Sequence, residues 1–301
     1  MSLVLISDIF LVVIALVSLI IASITDIKKR EVADWLSFSL IAVALVTRLL
    51  VAILDKNVFY FVYALIAGAV VFLLVILLYY SKALGGGDAK LLIALGCCFA
   101  TTPSFLSFNY NVYAPLFNFS IAKGFFLFDF FVNCLFVGLV YGLVFSIIMA
   151  IKYRKNFSMK FKSLAKKTLI FQIIFIIMGL IFLIFSLVKK IDFLLVLSIL
   201  LIVFPYLFIF IKSVETSGLI KLKSWKQLTE GDWLVQQIRI NKKIIKPSAD
   251  GLSKKDIQMI KVARKKVLIR DGMPFVPVFL ISAIISLLVG NLLFILLGAL
   301  I

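Results

Sequence analysis

Apolar runs of about 20 residues, the length an α-helix needs to cross a bilayer, recur along the whole chain. With 64% hydrophobic and only 15% charged residues, a soluble core cannot account for them. The runs predict spans near 3–24, 34–54, 58–80, 86–106, 124–151, 168–188, 192–211 and 274–300. The fold class expected is therefore all-α polytopic membrane protein, with about eight transmembrane helices and a small α+β cytoplasmic insert. The first run has no basic segment before it and no small-residue cleavage site after it, so it reads as a permanent span rather than a signal.

The net charge of +18 raises the question of nucleic acid, but its distribution answers it. With the N-terminus placed outside, 27 of the 32 Lys and Arg fall on the cytoplasmic side, 4 fall outside and Arg48 lies within a span. That is the positive-inside bias of a membrane protein, so the partner expected is the lipid bilayer and not nucleic acid. Both termini are expected outside. Arg48 itself is expected to snorkel to an interface.

The chain has no histidine, which excludes Ser-His-Asp and Cys-His catalysis and every metal site that needs imidazole. Cys97, Cys98 and Cys134 lie in apolar stretches without C-x-x-C spacing and read as buried small hydrophobes. No metal and no cofactor is expected. Residues 104–123, rich in Phe, Tyr and Asn, suit an interfacial anchor. Residues 212–272 read as the one segment polar enough to fold outside the membrane. Leu234 to Lys246 is expected to form a strand or hairpin around Asn241, and Ser253-Lys254-Lys255-Asp256 a capping box opening a helix to about Leu268.

Only 14 acids exist, so each can be placed against the spans. Asp8, Asp55, Asp129 and Asp192 map near the outer face, and Glu215, Glu230, Asp232, Asp250, Asp256 and Asp271 belong to the insert or its ends. Asp26, Glu31, Asp34 and Asp88 remain, at the cytoplasmic ends of the first four helices. Asp26 ends the first span and Asp88 opens the fourth, so a four-helix bundle can bring them face to face. Two carboxylates at close range cannot both ionise easily, so one keeps a proton while the other can take one from a water attacking an amide. A plain structural reading stands beside this one: Asp88 caps a helix after the glycine turn Gly85-Gly86-Gly87, where the backbone must bend sharply, and Asp26 simply ends a helix. Asp34 and Asp271 read as caps on the same logic.

Gly85-Gly86-Gly87-Asp88 resembles the G-x-G-D motif of polytopic aspartyl peptidases, and Thr25-Asp26-Ile27-Lys28-Lys29-Arg30-Glu31-Val32 resembles the segment ending the first span of type IV prepilin peptidases. Glu230-Gly231-Asp232-Trp233 and Asp271-Gly272-Met273-Pro274-Phe275-Val276-Pro277 look like the C-terminal part of archaeal preflagellin and prepilin peptidases. The resemblance implies a membrane aspartic endopeptidase that removes the basic leader of prepilin-like or preflagellin (archaellin) precursors at the cytoplasmic face. Asp26 and Asp88 would be catalytic, Gly85 and Gly87 would shape the substrate approach, and Glu31 and Asp34 are candidates to meet leader charge. No paired C-x-x-C domain interrupts the first two spans, so cleavage without N-methylation is expected.

On this reading residues 1–110 form the catalytic four-helix core, 111–211 add membrane helices and a basic loop, 212–272 form the non-catalytic insert and 273–301 the final span. A transporter or channel would share the polytopic basic-inside pattern, but it would place acids near mid-membrane or pair Gly/Pro breaks between spans. A non-enzymatic pilus-assembly subunit would not need two acids on one face. A presenilin-like protease shares G-x-G-D, but the chain has no Pro-Ala-Leu near its end. The sequence does not fix the precursor or the oligomeric state.

Overall fold

The computed structural model describes residues 2–81, 84–106, 125–240, 243–248 and 251–299. The expected aromatic anchor at 104–123 falls mostly outside these residues, as do the turn at Asn241 and the side chain of Asp250. Helices α1 (Leu3–Lys29), α2 (Asp34–Leu54), α3 (Phe59–Tyr80), α4 (Gly86–Cys98), α5 (Phe126–Lys152), α6 (Arg154–Lys167), α7 (Leu169–Lys189) and α8 (Asp192–Val214) precede a small strand-containing region. After it come α10 (Val276–Leu288) and α11 (Leu292–Ala299). Among the described residues six helices, α1, α2, α3, α5, α7 and α8, are long and apolar enough to cross a membrane. The sequence leads to eight. The difference lies in α4 and in the last segment, which form shorter helices.

The chain divides into two compact units, residues 1–141 with 272–301, and residues 142–271. In the first unit the two faces of a helix differ in composition. The inward stripe of α1 carries Leu11, Ala15, Ser18, Leu19, Ala22 and Ser23, spaced three or four apart, while Ile9, Phe10, Val13, Val17, Ile20 and Ile24 point outward. Small and polar residues share the buried stripe with leucines while large apolar ones cover the outer face, which suits helices packed in lipid, where no hydrophobic effect drives them together. A Cβ on Gly68 of α3 would lie 2.8 Å from Cys97 Sγ, and one on Gly96 of α4 would lie 2.8 Å from Val71 Cγ2. The two helices therefore cross at glycines.

Helix α4 is buried on nearly every side, through Ala89, Leu91, Leu92, Ala94, Leu95, Gly96, Cys97 and Cys98. Its 13 residues span about 20 Å, short of the roughly 30 Å hydrocarbon core, and its last residues, Cys97 and Cys98, are buried within the unit. Arg48 of α2 meets them. Its Nη2 donates to Cys98 O at 2.8 Å, its Nε to Cys97 O at 3.1 Å and its Nη1 to Thr101 Oγ1 at 3.1 Å, while the guanidinium lies over the Tyr60 ring. The expected snorkelling does not occur: Arg48 is 1% exposed. The carbonyl end of α4 supplies the partial negative charge that a buried guanidinium needs.

The predicted single span at 274–300 is broken. Gly290 adopts φ +83, and Asn291 accepts from Leu293 N to start α11. Asn133 of α5 donates to Gly290 O at 2.7 Å and accepts from Leu292 N at 2.9 Å, which satisfies the backbone freed by the break. Asn291 donates to Asp129 Oδ1 at 2.8 Å. The three cysteines are free and buried, as their apolar surroundings predict.

In the second unit α7 and α8 pack closely at Gly179, whose Cβ would lie 3.0 Å from Ser198 O. A π-helical turn (Glu215–Leu219) leads into β1 (Ile220–Lys223), β2 (Trp233–Leu234), β3 (Ile238–Ile240) and β4 (Lys243–Ile245), then α9 (Lys254–Val262) and β5 (Val267–Arg270). β5 lies between β1 and β2, antiparallel to both, and β3 pairs with β4 as a separate hairpin. Leu234 thus belongs to a different sheet from the rest of the predicted strand. The Ser253–Asp256 capping box forms as expected, but its helix stops at Val262, and Arg264 at φ +47 turns the chain into β5. Asp271 is no cap: it pairs with Lys221 at 2.8 Å and Lys223 at 3.4 Å.

Candidate active site

Asp26 occupies the last position of the inward stripe of α1, four residues after Ala22, and is 5% exposed. Helical spacing alone carries it to the same face as the bundle core. Helix α1 then ends at Arg30, which adopts the left-handed conformation at φ +60 and donates from Nη1 to Gly272 O. One Asp26 oxygen, Oδ2, accepts the backbone N–H of Val276 at 3.0 Å.

Asp88 is the third residue of α4 and is half-buried. The helix N-cap is Gly85, so Asp88 is not the N-cap of the structural reading. Its carboxylate turns back toward the Gly85 backbone N–H, the return half of a capping box. The glycines are required for a different reason from the one expected. Gly85 has φ −73, an extended conformation open to any residue, and none of the three is at positive φ. Close approach is what they permit. A Cβ on Gly87 would lie 3.1 Å from Val32 Cβ and 3.4 Å from Val32 N and O, and one on Gly85 would lie 3.3 Å from Asp88 Oδ2. The G-x-G-D turn is thereby set directly against the loop that follows Asp26.

The two carboxylates are near enough to interact electrostatically. Arg30 and the phenol of Tyr141, on α5, also lie within electrostatic reach of Asp26. Among the described residues no three His, Cys, Asp or Glu side chains converge as metal ligands would. The site thus offers two carboxylates within electrostatic reach of each other, backbone N–H donors and one guanidinium, which suits proton transfer to and from a water molecule and an amide.

The sequence pattern of the type IV leader peptidase family matches residues 13–151. Over those residues the chain is similar to the type IV leader peptidase family. The match covers a little under half of the chain and includes both aspartates and the glycine turn. No curated protein and no solved structure matches the chain. The similarity supports a protease of the leader-peptidase type, and the apolar helices fit a multi-pass membrane protein.

Of the other residues that the sequence singles out, Glu31 is exposed and Asp34 is the first residue of α2 rather than its cap. Asp34 instead pairs with Lys90 of α4 at 2.7 Å, with both side chains exposed. Three contributors escaped the sequence. Arg30 was visible only as one basic residue among three, Tyr141 as one aromatic in an apolar run, and the Val276 amide carries no side-chain signal. The segment that the Asp271–Pro277 resemblance covers includes the Val276 amide that Asp26 accepts.

Proposed function

We propose that this protein is an aspartic endopeptidase that removes the basic leader of prepilin-like or preflagellin precursors at the cytoplasmic membrane face, with Asp26 and Asp88 as its catalytic pair. The observation that carries the reading is the electrostatic proximity of these two carboxylates, distant in sequence, at the end of α1 and the start of α4. One carboxylate takes a proton from water as the water oxygen bonds to the scissile carbonyl carbon, and the other gives its proton to the carbonyl oxygen. When the tetrahedral adduct collapses, the C–N bond breaks and the nitrogen leaves with a proton returned through the pair. No group outside the protein is needed for this balance.

Gly85 and Gly87 keep the turn before Asp88 free of side chains, which suits an extended substrate strand. The positive-inside distribution supports a cytoplasmic position for both aspartates and outside positions for both termini. Buried Asp129 and the broken last helix invite the transporter reading, but Asn133 and Asn291 close the hydrogen bonds around that break. The test is cleavage in membranes of each prepilin and prearchaellin encoded in the same genome. Release of a mature product from at least one, lost in Asp26→Asn and Asp88→Asn, is expected. Cleavage of none overturns the reading.

A further inference from the structure

We propose that the backbone N–H of Val276, the first residue of α10, is a positioning group for catalysis: it fixes the Asp26 carboxylate, so the C-terminal segment 272–288 completes a site whose aspartates both lie within 13–151. The inference rests on the reading of Asp26 as catalytic and adds to it a requirement for a segment outside the family match.

The first N–H groups of a helix have no partner within it. Val276 is fully buried, so its N–H must find an acceptor, and Asp26 Oδ2 is that acceptor at 3.0 Å. The Phe275 amide also contributes to the carboxylate. Pro277 follows at the second helical position, where its fixed φ stiffens the turn that presents these donors. The positive end of the α10 dipole then points at Asp26.

The segment is held from several directions within the same unit. Arg30 donates to Gly272 O. A Cβ on Gly138 of α5 would lie 3.1 Å from Phe275 Cζ, so α5 closes on Phe275, which stacks edge-on against Phe279 at 5.5 Å. Val276 and Val278 are both fully buried. The donor is therefore fixed before substrate arrives, the arrangement that lets a hydrogen bond hold a catalytic group without reorganisation. A charged acceptor gains most from amide donors, and Asp26 has two, from Val276 and Phe275, where Asp88 has the one from Gly85, which assigns Asp26 as the member that takes the proton from water and Asp88 as the member that gives one to the carbonyl oxygen.

The test replaces Val276 in the full-length protein with α-hydroxyisovaleric acid, which exchanges the N–H for an ester oxygen and keeps the side chain. The same replacement at Val289, whose N–H makes an ordinary helix bond to Ile285 O at 2.8 Å, controls for the ester itself. Loss of a positioning bond should lower kcat by about tenfold or more at Val276, with KM within about threefold. The acid limb of its kcat profile should move to higher pH, because a carboxylate that loses a donor holds its proton more readily. The Val289 ester should stay within about twofold of wild type in kcat. Equal kcat for the two esters, while Asp26→Asn is inactive, overturns the positioning role and leaves the peptidase reading standing. Full activity of Asp26→Asn overturns both. A second measurement needs no ester: amide hydrogen exchange across 273–279 should quicken by about tenfold or more in Asp26→Ala and stay within about twofold of wild type in Asp88→Ala. Equal exchange in the two variants overturns the proposal.

Discussion

Arg48 Nη2 donates to Cys98 O at 2.8 Å, which places a guanidinium over the end of the helix that begins at the G-x-G-D turn. Helix α4 is thus fixed at both ends, by Gly87 packed on Val32 and by Arg48 on its final carbonyls. Replacing Arg48 with Leu strands those buried carbonyls and should cost roughly 2–4 kcal/mol. Arg48→Lys should recover little, because an ammonium cannot reproduce the planar fork that reaches Cys97 O, Cys98 O and Thr101 together. Thermal unfolding in detergent reads both. A Lys variant as stable as wild type would show that charge alone suffices.

The glycine turn yields a contrast between neighbours. Gly87→Ala puts a Cβ 3.1 Å from Val32 Cβ, so the loop after Asp26 must shift by a few tenths of an ångström. Gly86→Ala meets only the Tyr79 ring, at an ordinary 3.6 Å. Cleavage by Gly87→Ala should fall about tenfold with insertion unchanged, while Gly86→Ala should keep most activity. Equal rates for the two variants would remove close approach as the reason for Gly87.

How much of this could be read from the chain depends on whether the cause is local. The inward position of Asp26 follows from helical spacing in α1, and the turn before Asp88 is written in three glycines. The capping box at Ser253 was legible for the same reason. Partners that close at long range were not. Nothing in the apolar run of α2 says that Arg48 will find backbone carbonyls rather than the interface, because its acceptors arise only where α4 stops. Asp34 and Asp271 carry the signature of caps, yet each found a lysine from another element, Lys90 and Lys221. The break at Gly290 needed Asn133 of a distant helix to satisfy it, and apolar residues on both sides hid it within one hydrophobic run.

The strand-containing region should respond to pH at both extremes. Burial by itself would raise the Asp271 carboxyl, but Lys221 and Lys223 outweigh it and hold the group below its ordinary value. Burial would likewise depress Lys223, but the hydrogen bonds and charges of Asp232 and Asp271 hold it above its ordinary value. The Asp271 contribution is therefore present above the ordinary carboxylate pKa of about 3.9 and lost as pH falls through the lower folded value. The Lys223 contribution is complete below about 10.4 and lost as pH rises through the higher folded value. Trp233 sits opposite Arg270 in the same sheet. Its fluorescence, isolated in a full-length Trp35→Phe, Trp225→Phe variant, should stay flat between these limits and change outside them. Lys223→Met should bring the acid change to higher pH.

Leader charge should be read through Asp34 and Glu31. Asp34 is engaged by Lys90, but the pair is exposed, and such pairs contribute only about 0–1 kcal/mol, so an incoming leader lysine can take its place. Neutralising Glu31 and Asp34 together should raise KM for a basic leader, by about threefold to tenfold, and by less for a leader whose lysines are neutralised. Lys90→Met should lower KM for the basic leader, since it frees Asp34. Equal effects on basic and neutral leaders would exclude charge pairing at these residues.

The proposed catalytic pair demands that two distant residues act as one unit. Asp26→Asn and Asp88→Asn should each abolish cleavage while the protein inserts and unfolds much as wild type does, because asparagine keeps the shape and can still accept the Val276 and Gly85 amides. The double variant should be no slower than either single one, since groups that serve a single transition state are strongly non-additive. Activity should fall on both sides of an optimum, with limbs that belong to the pair rather than to one residue, because the mechanism requires one proton between two carboxylates. Initial rates of leader removal in membranes, taken with the thermal unfolding of each variant, separate catalysis from folding. An Asn variant that unfolds normally and still cleaves at a substantial fraction of the wild-type rate would make that aspartate a structural residue and end the two-carboxylate mechanism.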